Sequence, residues 1–156
     1  MKAADFGCGS GSWVLPLAHI LEEGSVFAVD VQQEPLSALS GKAKHKGLYN
    51  IITITADLEK KIPGINDNSL DLVVMANILF QIENKAALFS EADRVLKKGG
   101  KLLVVGWKTE VSLGPKNGKI SKMDVQAIAK KTGFILEKDL EQETGIYHYG
   151  LVFAKL

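Results

Sequence analysis

The sequence predicts an α/β fold: a doubly wound, seven-stranded, mostly parallel sheet with an antiparallel last strand. Three observations carry the prediction. Short apolar and β-branched runs alternate with helical patterns along the chain. A strand-like run turns into a helix through three closely spaced glycines, in ADFGCGSGSW at residues 4–13. The final two strand-like runs lie too close together for a helical crossover, so the seventh strand runs antiparallel.

The elements follow in order. Residues 2–6 (KAADF) form a short strand, and the glycine loop comes next. Residues 13–22 form a helix with Ser12 as its N-cap and Gly24 beyond its end. SVFAVD at 25–30 is the second strand, and a helix from Glu34 to Lys46 has Pro35 in its first turn and stops at Gly47. NIITIT at 50–55 is the third strand, and residues 58–69 have room for one or two helical turns. LDLVVMA at 70–76 is a buried strand by its near-continuous apolar character. Residues 84–97 form a helix with Leu88, Ala92, Val95 and Leu96 on one face, ended by KKGG at 97–100. KLLVVGW at 101–107 is the next strand, and a loop with LGPKNG follows at 113–118. Ser121 caps a helix that runs to Lys131 and stops at Gly133. Strands at 134–140 and 147–155 close the chain. Five consecutive crossovers require a right-handed, largely parallel sheet, whose ligand site lies at the carboxyl ends of the strands.

A chain of 156 residues is expected to form one domain, residues 1–156. A net charge of +1 gives no support for nucleic acid as a partner. No apolar run is long enough to span a bilayer. The single cysteine, Cys8, leaves no internal disulfide, and a cytoplasmic location is expected. No metal site is expected, because no histidine or second cysteine is placed beside Cys8.

The glycine loop alone admits several ligands. No lysine follows the glycines before Lys42, so a Walker-type phosphate loop does not fit. A dinucleotide fingerprint requires a third glycine where Ser12 stands. Asp30 ends the second strand, where a carboxylate accepts hydrogen bonds from both ribose hydroxyls of an adenosine. Asp57 follows the third strand, where it either accepts from an adenine amine or caps the next segment.

These stretches together carry a family resemblance. ADFGCGSG, VFAVDVQ, ITADLE, DLVVMANILFQI and EADRVLKKGGKLLVVGW, in that order, resemble the class I S-adenosylmethionine-dependent methyltransferases. Within that class the chain is most similar to the type 11 group, which includes quinone-biosynthesis enzymes. The resemblance implies a Rossmann-like domain, S-adenosylmethionine as cofactor and methyl transfer to a small-molecule acceptor. It implies that Gly7, Cys8, Gly9 and Gly11 border the methionyl part and that Asp5 holds its amino group. It further implies that Asp30 takes the ribose, Val31 packs on the adenine, and Asp57 and the Leu58 main chain meet the base. Asn77 would line the methionyl side through its backbone. Candidates for acceptor contacts are Trp107, Tyr147, Phe80, which packs on a flat acceptor or joins the core, and His148, which takes a proton near neutral pH or simply lies at the sheet edge. Lysines around 108–122 would steer an anion or simply be solvated.

Members of the class usually carry helices before the first strand. Here Met1 to Ala3 alone precede the motif, so poor cover is expected over strands 70–76 and 101–106 on the side of helix 13–22. Such a face favours a homo-oligomer. Two other readings stay open: a non-catalytic S-adenosylmethionine-binding module or partner subunit, and a nicotinamide-dependent reductase.

Overall fold

The computed structural model describes residues 1–156. Seven strands form one sheet: β1 (Lys2–Phe6), β2 (Ser25–Asp30), β3 (Ile51–Thr55), β4 (Leu70–Ala76), β5 (Leu96–Trp107), β6 (Phe134–Asp139) and β7 (His148–Lys155). Four helices connect them: α1 (Val14–Ile20), α2 (Gln33–His45), α3 (Lys85–Val95) and α4 (Lys122–Lys131). The spatial order is β3-β2-β1-β4-β5-β7-β6, and β7 runs antiparallel to both β5 and β6. Strand order reverses between β1 and β4, so the loop after β1 lies at the switch point.

Alternation along the strands divides the core in two. Ala4 and Phe6 of β1 join Val73 and Met75 of β4, Leu102 and Val104 of β5, and Tyr149, Leu151 and Phe153 of β7. Side chains of α3 and α4 close this larger core, with Phe134 edge-on to both Phe89 and Phe153. On the opposite face α1 and α2 lay Val14, Ala18, Leu36 and Leu39 against Val26 and Ala28 of β2. That second cluster contains no residue of β4, β5 or β7. The expected thin cover on this side is present only in part: Leu72, Leu103 and Val152 are half-buried, while Val74 and Val105 on the same face are buried.

Three local expectations need correction. Ser12 does not cap α1; Trp13 holds the cap position, and no side chain caps the helix. Residues 58–69 form turns and no helix, because Pro63 removes a donor and Gly64 takes a left-handed φ of +82°. A short 3-10 turn at Leu79–Gln81 forms instead, after β4. The KKGG stretch does not end the preceding helix: α3 stops at Val95, and Lys97 to Gly100 form the leading arm of β5, with Leu96 paired to Leu70. Ser121 caps α4 as expected, its Oγ accepting from Asp124 N, and Asn84, not among the expected caps, caps α3 by accepting from Ala87 N at Oδ1.

Turn 58–69 is held by one buried ion cluster. Glu91, on α3 and 7% exposed, accepts from Ile62 N at 2.7 Å and from Arg94 Nε at 2.9 Å. Arg94 also donates to the carbonyls of Ile62 and Ile65 and to exposed Asp67. Arg94→Met strands the Glu91 carboxylate in the interior and is expected to cost about 3 kcal/mol. Urea denaturation measures the loss, and Asp67→Asn is expected to leave the midpoint nearly unchanged.

Candidate functional site

The chain contains three buried side-chain polar atoms with no hydrogen-bond partner: Asp5 Oδ1, Asn77 Oδ1 and His148 Nε2. All three lie at one edge of the sheet. Asp5 is the penultimate residue of β1, Asn77 follows the last residue of β4, and His148 opens antiparallel β7. Buried polar atoms without partners are rare in folded chains, and their concentration at the strands' carboxyl edge marks a site.

The glycine turn builds the first part of it. Gly7, Gly9 and Gly11 all have positive φ, which side-chain-bearing residues seldom adopt. A Cβ on Gly7 would lie 2.4 Å from Ile78 Cγ2, so this glycine lets the turn close on the segment after β4. Gly9 faces open space, with nothing within 4 Å of a Cβ placed there. Four of the turn's amides are already occupied. Gly7 N and Cys8 N donate to Val29 O at 2.8 and 3.1 Å, Gly9 N to Asp30 Oδ2 at 2.9 Å, and Gly11 N to Cys8 O at 3.1 Å. A phosphate nest needs amides pointing free into a concavity, and these four do not. The geometry agrees with the absence of a Walker lysine.

Asp30 links the turn to β2. Its Oδ2 accepts from Gly9 and its Oδ1 from Gln32 N at 3.0 Å, which leaves a lone pair on each oxygen for a further donor. Val31, beside it, is 64% exposed and offers a flat apolar surface. Asp57 Oδ1 accepts from Glu59 N at 2.9 Å and so caps its own turn, while its Oδ2 accepts no hydrogen bond and lies 3.8 Å from Lys60 Nζ. Leu58 is buried in the main core. Cys8 packs in the smaller cluster, and burial pushes its thiol up to about 12, so it carries no thiolate.

Asn77 sits at a left-handed φ of +57°. Its N–H donates to Val105 O at 2.8 Å, so the expected backbone contact has only the carbonyl left. Its side-chain oxygen is the atom without a partner. Phe80 is half-buried and lines, with Asn77, Trp107 and Lys119, a hollow of about 10 Å³. Trp107 and His148 stand opposite each other in the β5–β7 ladder, with ring centroids 4.2 Å apart. Tyr147 lies outside β7 and is exposed; its carbonyl accepts from Lys108 N. Two of the four loop lysines are engaged, Lys119 with the carbonyls of Val111 and Leu113, and Lys122 with Asp139. Sequence reasoning missed this internal use of Lys119, and it missed Ile78, the contact that makes Gly7 necessary.

A profile described as a methyltransferase domain matches residues 4–104, over half of the chain. The chain belongs to this methyltransferase family. Among curated proteins it is similar to the ubiquinone/menaquinone biosynthesis C-methyltransferase UbiE of Shewanella frigidimarina. The two are 28% identical over 145 residues, covering 90% of this chain and 55% of that protein. UbiE of Shewanella baltica strain OS155 is 30% identical over 106 residues, covering 67% of this chain and 42% of the relative. The chain thus spans about half the length of the curated relatives it matches. A solved SAM dependent methyltransferase from Aquifex aeolicus superposes with a TM-score of 0.90 at 28% identity, over 100% of this chain and 82% of that one. The [4+2]-cyclase SpnF shares the fold at a TM-score of 0.82 and 17% identity, over 99% of this chain and 74% of that one. No helix of the family member described here is long and apolar enough to cross a membrane.

Asp5 makes the site's electrostatics testable. Burial, then the nearby Asp30 carboxylate, raises its pKa from 3.8 to about 7. The folded chain therefore holds a proton between about pH 4 and 7 that the unfolded chain has lost, and stability falls as pH rises through that window. Asp5→Asn removes the linkage. The variant is expected to gain on the parent by about 1 kcal/mol per pH unit across the window, with no further change above pH 8. Denaturant midpoints at pH 4.5, 6 and 8 provide the check.

Proposed function

We propose that the chain binds S-adenosylmethionine across the carboxyl edge of the sheet and transfers its methyl group to a hydroxylated aromatic acceptor. The observation that carries this reading is the set of unpartnered buried atoms beside an open glycine turn, on a chain of this family. The residues fit the cofactor. An ammonium meets Asp5 Oδ1, the buried acceptor that nothing else in the chain satisfies. Two vicinal hydroxyls meet the free lone pairs of Asp30, and a purine lies on exposed Val31. Open space over Gly9 admits the chain between them. Asn77 borders the methionyl side through its side-chain amide, and Asp57 has only its outer oxygen for the base.

When bound, the cofactor supplies an already activated methyl group on a sulfonium. The protein's work is then alignment and exclusion of competing nucleophiles. Phe80 and Trp107 supply apolar walls on the acceptor side. The acceptor class rests on the names of the UbiE relatives, which are C-methyltransferases of quinone biosynthesis. The SpnF fold match supports a second reading, a related chain doing other work on the same scaffold.

Calorimetry tests the cofactor, and a transfer assay separates the two readings. S-adenosylmethionine is expected to bind and NAD not to bind. Asp30→Ala is expected to weaken the nucleoside at least tenfold, since hydrogen bonds to a charged group contribute about 1.5–3 kcal/mol each. Tritiated-methyl transfer to a panel of phenols and quinols then tests the reaction. Tight binding with no labelled product from any of them favours the non-catalytic module.

A further inference from the structure

We propose that His148 is the proton acceptor for the acceptor's hydroxyl, with Trp107 as the positioning residue that holds its ring. The assignment rests on the methyl-transfer reading above.

The backbone around His148 is fully engaged while its ring is not. Thr144 Oγ1 donates to the His148 carbonyl at 3.1 Å, and Lys108 N donates to the preceding carbonyl of Tyr147 at 2.9 Å. The ring's Nε2 is buried with no partner. A histidine with a purely structural role would hydrogen-bond within the chain, because an unpaired buried nitrogen is costly. With the ring proton on Nδ1, Nε2 presents a lone pair.

Register places that lone pair on the correct side of the sheet. Asp5 of β1 lies level with Val74 of β4, Val74 with Leu103 of β5, and Leu103 with Val152 of β7. Residues level with one another share a face, and so do residues two apart along a strand. Trp107 and His148, each four residues from that row, therefore share the face that carries Asp5. They stand about 13 Å further toward the carboxyl edge, and β7 lies on the order of 10 Å from β4, two strand spacings away. Asp5 and His148 thus lie on one side of the sheet, so an acceptor beside a ligand anchored at Asp5 does not have to cross it to meet the imidazole.

Trp107 fixes the imidazole. The two rings meet at 4.2 Å with a tilt of 42°. Gly114 closes over the benzo ring of Trp107 so tightly that a Cβ would lie 2.6 Å from both Cδ2 and Cε3. Gly118 packs equally closely on the Phe80 carbonyl, and Lys119 ties the loop to itself through Val111 and Leu113. The loop after β5 thus braces the indole, and the indole braces the histidine.

The step balances. The acceptor's O–H bond breaks, an Nε2–H bond forms, and the electron pair left on oxygen delocalises to the ring carbon that takes the methyl. The carbon–sulfur pair returns to sulfur as a neutral thioether, the methylated ring carbon loses its proton to solvent, and the ring oxygen takes back the proton held by the imidazolium, so one proton is released overall.

The test uses the full chain with ¹⁵N-labelled histidine in the presence of S-adenosylhomocysteine. His148→Gln assigns the resonance against His19 and His45. Titration with 1-naphthol is expected to move His148 Nε2 saturably and leave the other two in place, and 1-methoxynaphthalene, without a hydroxyl, is expected to move none. With 1,4-naphthoquinol as acceptor, His148→Gln is expected to lower kcat at least 100-fold with cofactor Kd within twofold. Added imidazole is expected to restore part of the rate to His148→Ala but none to Trp107→Phe, whose loss is one of position. The proposal is overturned if 1-naphthol leaves Nε2 unmoved while S-adenosylhomocysteine binds, or if His148→Gln keeps kcat within threefold. Where no quinol is methylated, the imidazole titration alone decides. Failure of S-adenosylhomocysteine to bind removes the underlying reading and this assignment with it.

Discussion

A carboxylate buried at the end of an apolar parallel strand is the constraint around which this site is organised. Asp5 has its neighbours on β1 in the dry core, Ala4 and Phe6 among them, and its Oδ1 receives no hydrogen bond from the chain. Burial and the charge of Asp30 hold its pKa near 7, against the ordinary range for an aspartate. A fold tolerates such a group where a cationic ligand relieves it. The other two unsatisfied atoms follow the same edge, and the three together trace a path from β1 across β4 to β7.

The glycine turn illustrates how the same sequence feature serves different ligands. Glycine density alone suggests a phosphate cradle. In this chain the amides of Gly7, Cys8, Gly9 and Gly11 are bonded to Val29, Asp30 and Cys8, and the glycines work as points of close approach. Gly7 clears Ile78, Gly11 clears Leu39, and Gly9 leaves room. Asp30 holds the turn from below with one oxygen and β2's exit with the other, so loop shape and the proposed ligand anchor depend on a single carboxylate. Changing it perturbs both at once.

Much of this was legible in the residues. The alternation of strand and helix patterns, the antiparallel final strand, and the place of Asp5, Gly7, Gly9, Gly11 and Asp30 at one edge all follow from local periodicity and connection rules. What failed had non-local causes. Leu96 to Gly100 reads as a helix end because it is basic and glycine-rich, yet pairing of Leu96 with Leu70 makes it part of β5. Trp13 at the cap of α1 has no polar side chain to signal the start. Lys119 reads as a solvated charge, but it closes its own loop. The packing of Trp107 on His148 depends on the β5–β7 register, which no window of sequence contains. Asp57 left two readings open, and its bond from Glu59 N shows the capping one at work.

The most direct test of the edge as a nucleoside site is a crystal structure with S-adenosylhomocysteine. The account predicts ribose hydroxyls within about 2.6–3.0 Å of the Asp30 carboxylate and the ligand's ammonium on Asp5 Oδ1. A nucleoside ordered elsewhere on the chain, with Asp5 Oδ1 still lacking a partner, would contradict it.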